Sequence, residues 1–414
     1  MKMIIDELKK EKKNGRARIS AMIKWEDCGR PDHYIYFETG EEFEKDLTLS
    51  AHPFLVGSLM PAIHFGERRI YTGAKLCPEL RHGLNIAMSW MRHWFGHEVI
   101  ALETKIKKSM DVRPPRAATF FSGGVDSYAV LRLNHLGFPG EHPWRIRDGI
   151  VIFGLEQDDP VVFERVRNSL KRAADEIGIA LIPVYTNVYL NYRNEDKGFA
   201  FWFYKFQSSA LSSVAHALSN RITVASIASD YGVADQWPHG SDPRLDPNFS
   251  SAELRIRHDG VSLTRYERIK LISEWDTAIR HLRVCNQFKK YGREVFNCGR
   301  CEKCVRTMLA LVSLGVLDRT DAFPMKDVSP DMLVPINRRT YAHYVDLLAP
   351  LQKRGRDDLV NAINERLAEC DRKEKQDRLK KKVKEFDSRF LKGRIKKINN
   401  HIHKKDAKSP GKAR

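Results

Sequence analysis

Between residues 116 and 230 the chain alternates short, unbroken apolar runs with stretches in which apolar residues return every three or four positions. The runs at 117–121, 149–155, 179–184 and 222–227 read as strands buried on both faces. The periodic stretches between them read as amphipathic helices. The first covers 126–136 and is closed by Gly137. Asp159 caps the second, Pro160 takes its first position, and it runs to Ile177 before Gly178 stops it. The third covers 201–218. This alternation predicts an α/β fold: a parallel sheet covered by helices on both faces, with ligands expected at the carboxyl ends of the strands.

The flanks are less regular. Residues 1–20 are dense in charge and read as a frayed lead-in. Short strand-like pieces follow at 34–37 and 69–71. Residues 80–95 space Leu84, Ile86, Met88, Trp90 and Trp94 as a helix does, and 99–102 suits one more strand. This predicts an α+β accessory domain over 1–115, bounded by Pro114-Pro115, where helix is disfavoured. The central domain is expected over 116–318. Within it, residues 236–251 are rich in proline, glycine and polar side chains and read as a lid over the sheet, with His239, Asp242, Arg244 and Asp246 as substrate contacts. Thr264 and Glu267 form a capping box that opens a helix over 265–281. An apolar helix is expected at 305–317, a loop-and-helix annex over 319–371, and a basic helical or disordered tail over 372–414.

Composition adds three constraints. With 42% hydrophobic and 10% aromatic residues in 414, the chain can build a substantial core. No apolar run reaches the ~18 residues of a membrane span, and the start lacks a signal peptide's apolar stretch, so a cytoplasmic chain without a membrane partner is expected. Nothing in the composition opposes oligomerisation. The tail holds 18 Lys and Arg against 5 Asp and Glu, a net +13 of the chain's +18. It reads as a site for RNA or an acidic partner, or as a solubilising extension.

The chemistry concentrates at Phe120-Phe121-Ser122-Gly123-Gly124-Val125-Asp126-Ser127. A strand runs into two glycines and then a helix start. Such a turn brings backbone amides to an oxyanion with the helix dipole behind them. Ser122 and Ser127 add hydroxyl donors, and Asp126 places a carboxylate near a phosphate-bound Mg²⁺. No lysine follows the glycines, which excludes the GxxxxGK[ST] loop. A second strand end offers Ser229-Asp230, with a loop cap as the plain alternative for Asp230. Four cysteines, Cys285, Cys298, Cys301 and Cys304, stand in the pattern C-x12-C-x2-C-x2-C. Their spacing fits a closed tetrahedral Zn²⁺ site or an iron–sulfur cluster.

The octet resembles the SGGxDS signature of the PP-loop ATP pyrophosphatases. Joined to the cysteine knuckle, the stretch 116–316 is similar to the 7-cyano-7-deazaguanine synthase family. That resemblance implies a Rossmann-like PP-loop fold binding ATP with Mg²⁺, and a structural Zn²⁺. It implies adenylation of a small-molecule carboxylate or modified base, release of pyrophosphate, and attack by a nitrogen nucleophile. The nucleotide-binding set it implies is Ser122, Gly123, Gly124, Val125, Asp126, Ser127, Phe153, Gly154 and Ser229. The catalytic set is Asp126, Ser127, Asp230 and a cation early in the helix after Thr264: Arg268, with Arg265 and Lys270 as rivals. The chain departs from the family at Phe206-Gln207, where Arg-Asn is usual, and at Trp237-Pro238-His239-Gly240, which answers a Tyr-Pro-Asp-Cys-Arg segment. It also shows no glutaminase signature, so ammonia or an amine is the expected nitrogen source. A tRNA-modifying PP-loop enzyme and a non-enzymatic nucleotide sensor are the competing readings.

Overall fold

The computed structural model describes residues 1–107 and 113–390, with side chains omitted at 384–390. It contains two compact units, Met1–Asp327 and Val328–Arg414. The first unit is built on one ten-stranded sheet, β1 (Lys2–Lys13), β2 (Arg16–Trp25), β3 (His33–Gly40), β4 (Arg69–Leu76), β5 (Ala101–Ile106), β6 (Ala117–Phe120), β7 (Ile146–Phe153), β8 (Ala180–Thr186), β9 (Val224–Ala228) and β10 (Arg255–Asp259). Their order across the sheet is β10-β9-β6-β7-β8-β3-β2-β1-β4-β5.

Strands β10, β9, β6, β7 and β8 run parallel, as expected for the central region. Counted in chain order from β6, their spatial order is 3-2-1-4-5, so the direction of winding reverses between β6 and β9. The helices Val125–Gly137, Pro160–Ile177 and Gln207–Ala217 make the connections. Asp159 caps its helix as expected, accepting bonds from the amides of Val161 and Val162.

The accessory region is not a separate sheet. Antiparallel pairing of β3 with β8, Phe37 opposite Thr186, joins it edge to edge with the parallel section. Both regions fall within Met1–Asp327, so the expected boundary at residue 115 does not divide the fold. Nor are residues 1–20 frayed. They form a hairpin whose Asn14-Gly15 turn has both φ angles positive, 52° and 71°. Met3, Ile5, Ala17, Ile19, Ala21 and Ile23 enter the core, and the charges between them face water. The helix His52–His64 carries Pro53 and Pro61 and was not expected from its sequence. Its residues are buried almost throughout, against Gln207–Ala217.

Two more expectations change. The helix after Thr264 is broken into Arg265–Ser273 and Asp276–His281, although its capping box forms. The segment 319–327 belongs to the first unit: Thr320 Oγ1 donates to the Ile279 carbonyl at 2.7 Å, and Asn297 Nδ2 donates to the Ala322 carbonyl at 2.8 Å. The second unit pairs Tyr341–Lys353 with Asp357–Phe390 around Tyr344, Leu347, Leu351, Leu359, Ile363 and Leu367. That last helix passes through residue 372 without a break. The remainder of the predicted tail, 391–414, lies outside the described residues.

Candidate active site and cysteine knuckle

The Ser122–Ser127 segment lies at the carboxyl end of β6, beside the carboxyl end of β9. Thr119 pairs with Ser226, so the chain running on from each strand brings Gly123 and Asp230 to equivalent heights. Gly123 has φ +76°, and a Cβ there would stand 2.8 Å from Leu170 Cδ2. The positive φ is what calls for glycine here, since the Leu170 methyl could give way. Ser122 Oγ accepts from the Gly124 amide at 3.3 Å, and Ser127 Oγ donates to the Gly124 carbonyl at 3.0 Å. The two hydroxyls lie 3.4 Å apart. Val125 is buried as the first residue of the helix. The turn is thus braced from within, and the helix start faces the strand-end cleft.

Asp126 does not stand free for a cation. Arg265 binds one carboxylate oxygen at 2.5 Å and Arg268 the other at 2.9 Å. Burial alone would raise the pKa of this carboxyl, but the two guanidiniums outweigh it and hold it at about 2. Arg268 is almost fully buried and also donates to the carbonyls of Tyr231 and Gly260. Its commitments make it a strut between Asp126 and the end of β9, whereas Arg265 keeps 10% of its side chain exposed. Lys270, the other rival, is exposed.

Asp230 contrasts with Asp126. It is half-buried, and no hydrogen bond or ion pair engages its carboxylate among the described residues. Burial raises its pKa, and the negative charge of Asp126 raises it further. Two carboxylates thus stand at neighbouring strand ends, one neutralised by arginines and one that Lys303 and His239 offset only through space.

The remaining nucleotide-binding expectations are placed as follows. Phe153 packs against Phe163 and Tyr185, with ring centroids at 5.3 and 5.9 Å. Gly154 has φ +98°, and a Cβ there would meet the Thr186 carbonyl oxygen at 1.7 Å. Ser229 is buried, donates to the Tyr231 carbonyl at 2.7 Å, and accepts from Gln236 Nε2 at 3.2 Å. All three shape the strand ends through packing.

The expected lid is a packed segment. The Gly240 amide donates to the Phe203 carbonyl at 2.8 Å, and the Gly240 carbonyl accepts from Ser208 at 2.7 Å. Asp242 is spent on Arg244, and Asp246 on Ser241 and His258, so none of these is a free substrate contact. His239 differs. Its Nδ1 donates to the Trp237 carbonyl at 2.7 Å, and its Nε2 is buried without a hydrogen-bond partner. Phe203, Tyr231 and Trp237 surround its ring at centroid distances of 6.0, 5.4 and 5.1 Å, and its field reaches Asp230.

The cysteine knuckle forms as its spacing predicts. The four sulfurs lie within 4.8 Å of one another, Cys285 and Cys301 at 3.7 Å and Cys298 and Cys304 at 3.9 Å. Thiolates about 2.3 Å from a tetrahedral Zn²⁺ are about 3.8 Å apart, so this cluster can hold that ion. Hydrogen bonds from Cys301 and Cys304 push the Cys285 thiol well below its usual range. Sharing with Cys285 pushes Cys301 up to about 12 and Cys304 higher still. One thiolate opposes the next, and a dication removes that opposition.

Sequence reasoning missed Asn297, which braces this knuckle. Its side-chain oxygen accepts from the amides of Val284 and Cys285, and its nitrogen donates to the carbonyls of Leu282 and Ala322. It also missed Glu156, Arg283 and Asn286, polar residues of irregular segments whose spacing carries no pattern.

Two openings are found in the first unit. One of about 820 Å³ runs along β10 and includes Arg113 and Thr223. One of about 420 Å³ lies behind Gly123, between the helix Pro160–Ile177 and residues 280–283, 295–297 and 321–324. The carboxyl ends of β6 and β9 gather the glycine turn, both carboxylates and His239. Comparison of the chain with protein-family models, with curated proteins and with solved structures returned no match in any of the three.

Proposed function

We propose that this chain is an ATP-dependent, AMP-forming ligase of the PP-loop type, resembling 7-cyano-7-deazaguanine synthase. The observation that carries the reading is the glycine turn at the winding reversal, set beside Asp230, whose carboxylate no ion pair engages among the described residues. In doubly wound sheets this is where ligands bind. The turn's amides and the helix dipole suit a phosphate chain. The residues present fit a Mg²⁺ as well: Asp230 is the carboxylate available to hold it, with Asp126 behind. When bound, the ion would offset the charge of the phosphates and of departing pyrophosphate.

The chain's own residues do the rest. Asp126 fixes Arg265 at the rim, where its cation favours charge developing on the leaving group. Ser122 and Ser127 keep the turn in register, so the amides are aimed before ATP arrives. Phe203, Tyr231, Trp237 and His239 form an aromatic cluster next to Asp230, and the half-buried rings of Phe203 and Trp237 suit stacking against a planar ring. This supports a modified-base carboxylate as the acyl substrate, with its carboxylate or amide oxygen attacking the α-phosphorus. The cysteine knuckle, with Zn²⁺ as its ion, is read as structural because four sulfurs leave no open position.

The test is exchange of labelled pyrophosphate into ATP by the purified chain, with Mg²⁺ and a panel of heteroaromatic carboxylates. Exchange that needs one of them is expected. Exchange that instead requires tRNA would favour the RNA-modifying reading.

A further inference from the structure

The glycine turn lacks the lysine that nucleotide loops commonly use, and Arg265 and Arg268 share their charge with Asp126. One cation is nevertheless tied to the turn. The Arg283 amide donates to the Gly123 carbonyl at 2.8 Å. Its Cβ lies 3.8 Å from where a Gly123 side chain would begin, and its carbonyl oxygen 3.7 Å from the same point on Gly124. The backbone of Arg283 thus lies along the turn, in a stretch that Asn297 clamps on both sides through Leu282 and Val284.

The guanidinium of Arg283 is half-buried and makes no ion pair among the described residues. Its one side-chain bond runs to a neutral oxygen, Asn286 Oδ1, at 3.3 Å. Asn286 in turn donates to Glu156 Oε2 at 3.2 Å. The amide therefore stands between the cation and the nearest carboxylate, aiming the first without neutralising it. Most of the five guanidinium donors remain for a ligand. Glu156 and Cys285 act on this group only through space, without an ion pair, and burial outweighs them, so a bound anion would offset the remaining cost.

We infer that Arg283 is the phosphate-binding cation of the glycine turn, contacting the pyrophosphate portion of ATP and leaving with it the role a loop lysine fills elsewhere. Planar, bidentate recognition of phosphate oxygens is what a guanidinium does best. This assignment rests on the nucleotide reading above.

The experiment is calorimetric titration of the full chain, with Mg²⁺, using ATP, inorganic pyrophosphate and AMP as separate probes. Wild type, Arg283→Ala and Arg283→Lys are compared. Arg147→Ala, at the opposite end of β7, controls for net charge, and far-ultraviolet circular dichroism checks folding. Arg283→Ala is expected to weaken ATP and pyrophosphate by about 10- to 100-fold. AMP should change by less than about threefold, and the lysine variant should recover part of the loss. Wild-type binding of ATP that Arg283→Ala leaves unaltered would overturn the assignment and leave the nucleotide reading standing. Wild type that binds neither ATP nor pyrophosphate would overturn both. A uniform loss for all three probes in a folded Arg283→Ala would assign Arg283 to the architecture of the turn and overturn its role as a phosphate ligand.

Discussion

Asp126 shows why a motif residue must be priced by its neighbours. Its carboxylate is shared by Arg265 and Arg268, and its pKa falls from 3.8 to about 2. A depressed carboxyl contributes stability above its unfolded pKa, lost as pH falls through the folded one, here between about 4 and 2. At neutral pH that contribution is roughly 2 kcal/mol. Asp126→Asn is therefore expected to lower urea stability by about that amount as well as to abolish AMP formation, and wild-type stability would contradict the pairing. His52 and His216 act in the same direction in a higher pH window. Both are buried, with ring centroids 5.6 Å apart; His52 Nε2 accepts from the Cys77 amide, and His216 Nε2 donates to the Phe249 carbonyl. Burial lowers their pKa values to about 4 and about 3. Below their unfolded value near 6.5 the unfolded chain takes up protons that the fold refuses, so stability falls as pH falls. Between pH 7.5 and 5 the expected loss is roughly 2 kcal/mol for each histidine. Urea midpoints should show it, and a His52→Gln, His216→Gln double variant should flatten the slope. A flat wild-type profile would contradict it.

Elements differ in how openly the sequence declares them. The strands β6 to β9 are buried on both faces, so they appear as unbroken apolar runs, and capping residues mark the helices between. The hairpin β1–β2 has only one face in the core. In β2, Ala17, Ile19, Ala21, Ile23 and Trp25 alternate with Arg16, Arg18, Ser20, Met22 and Lys24, and the charge run of β1 hides that alternation. The edge strand β10, Arg-Ile-Arg-His-Asp, offers one apolar residue, Ile256, and its pairing with β9 supplies the rest. The helix His52–His64 is masked by its prolines, because burial and not propensity makes it helical. The same divide holds at the site. Ser122 to Ser127 was legible because the turn's chemistry is local, whereas Arg283 and Asn297 reach it only through tertiary structure. The cysteine knuckle was legible from spacing alone. One Zn²⁺ per chain is expected by elemental analysis. Cys301→Ser should lower the thermal midpoint and the zinc content together while ATP affinity of the folded fraction changes little. Visible absorption from iron and sulfide, or no metal, would contradict zinc.

Across the whole molecule, charge and chemistry are separated. The proposed nucleotide-binding residues lie within Met1–Asp327, and the excess positive charge lies beyond residue 371. Arg372, Lys373, Lys375, Arg378 and Lys380 occur on one continuous helix with acidic residues only at Glu374 and Asp377 between them. Deleting residues 384–414 should leave AMP formation within about twofold and remove salt-sensitive binding of single-stranded RNA. Equal RNA binding by both forms would make the tail a solubilising extension. The central claim is that the glycine turn and Asp230 direct cleavage between the α and β phosphates. The most direct measurement is identification of the phosphate products from Mg-ATP labelled at the α position, with and without the heteroaromatic carboxylate panel. The account predicts AMP and pyrophosphate in equal amounts, abolished by Asp126→Asn and by Asp230→Asn. ADP and inorganic phosphate as the products would contradict it.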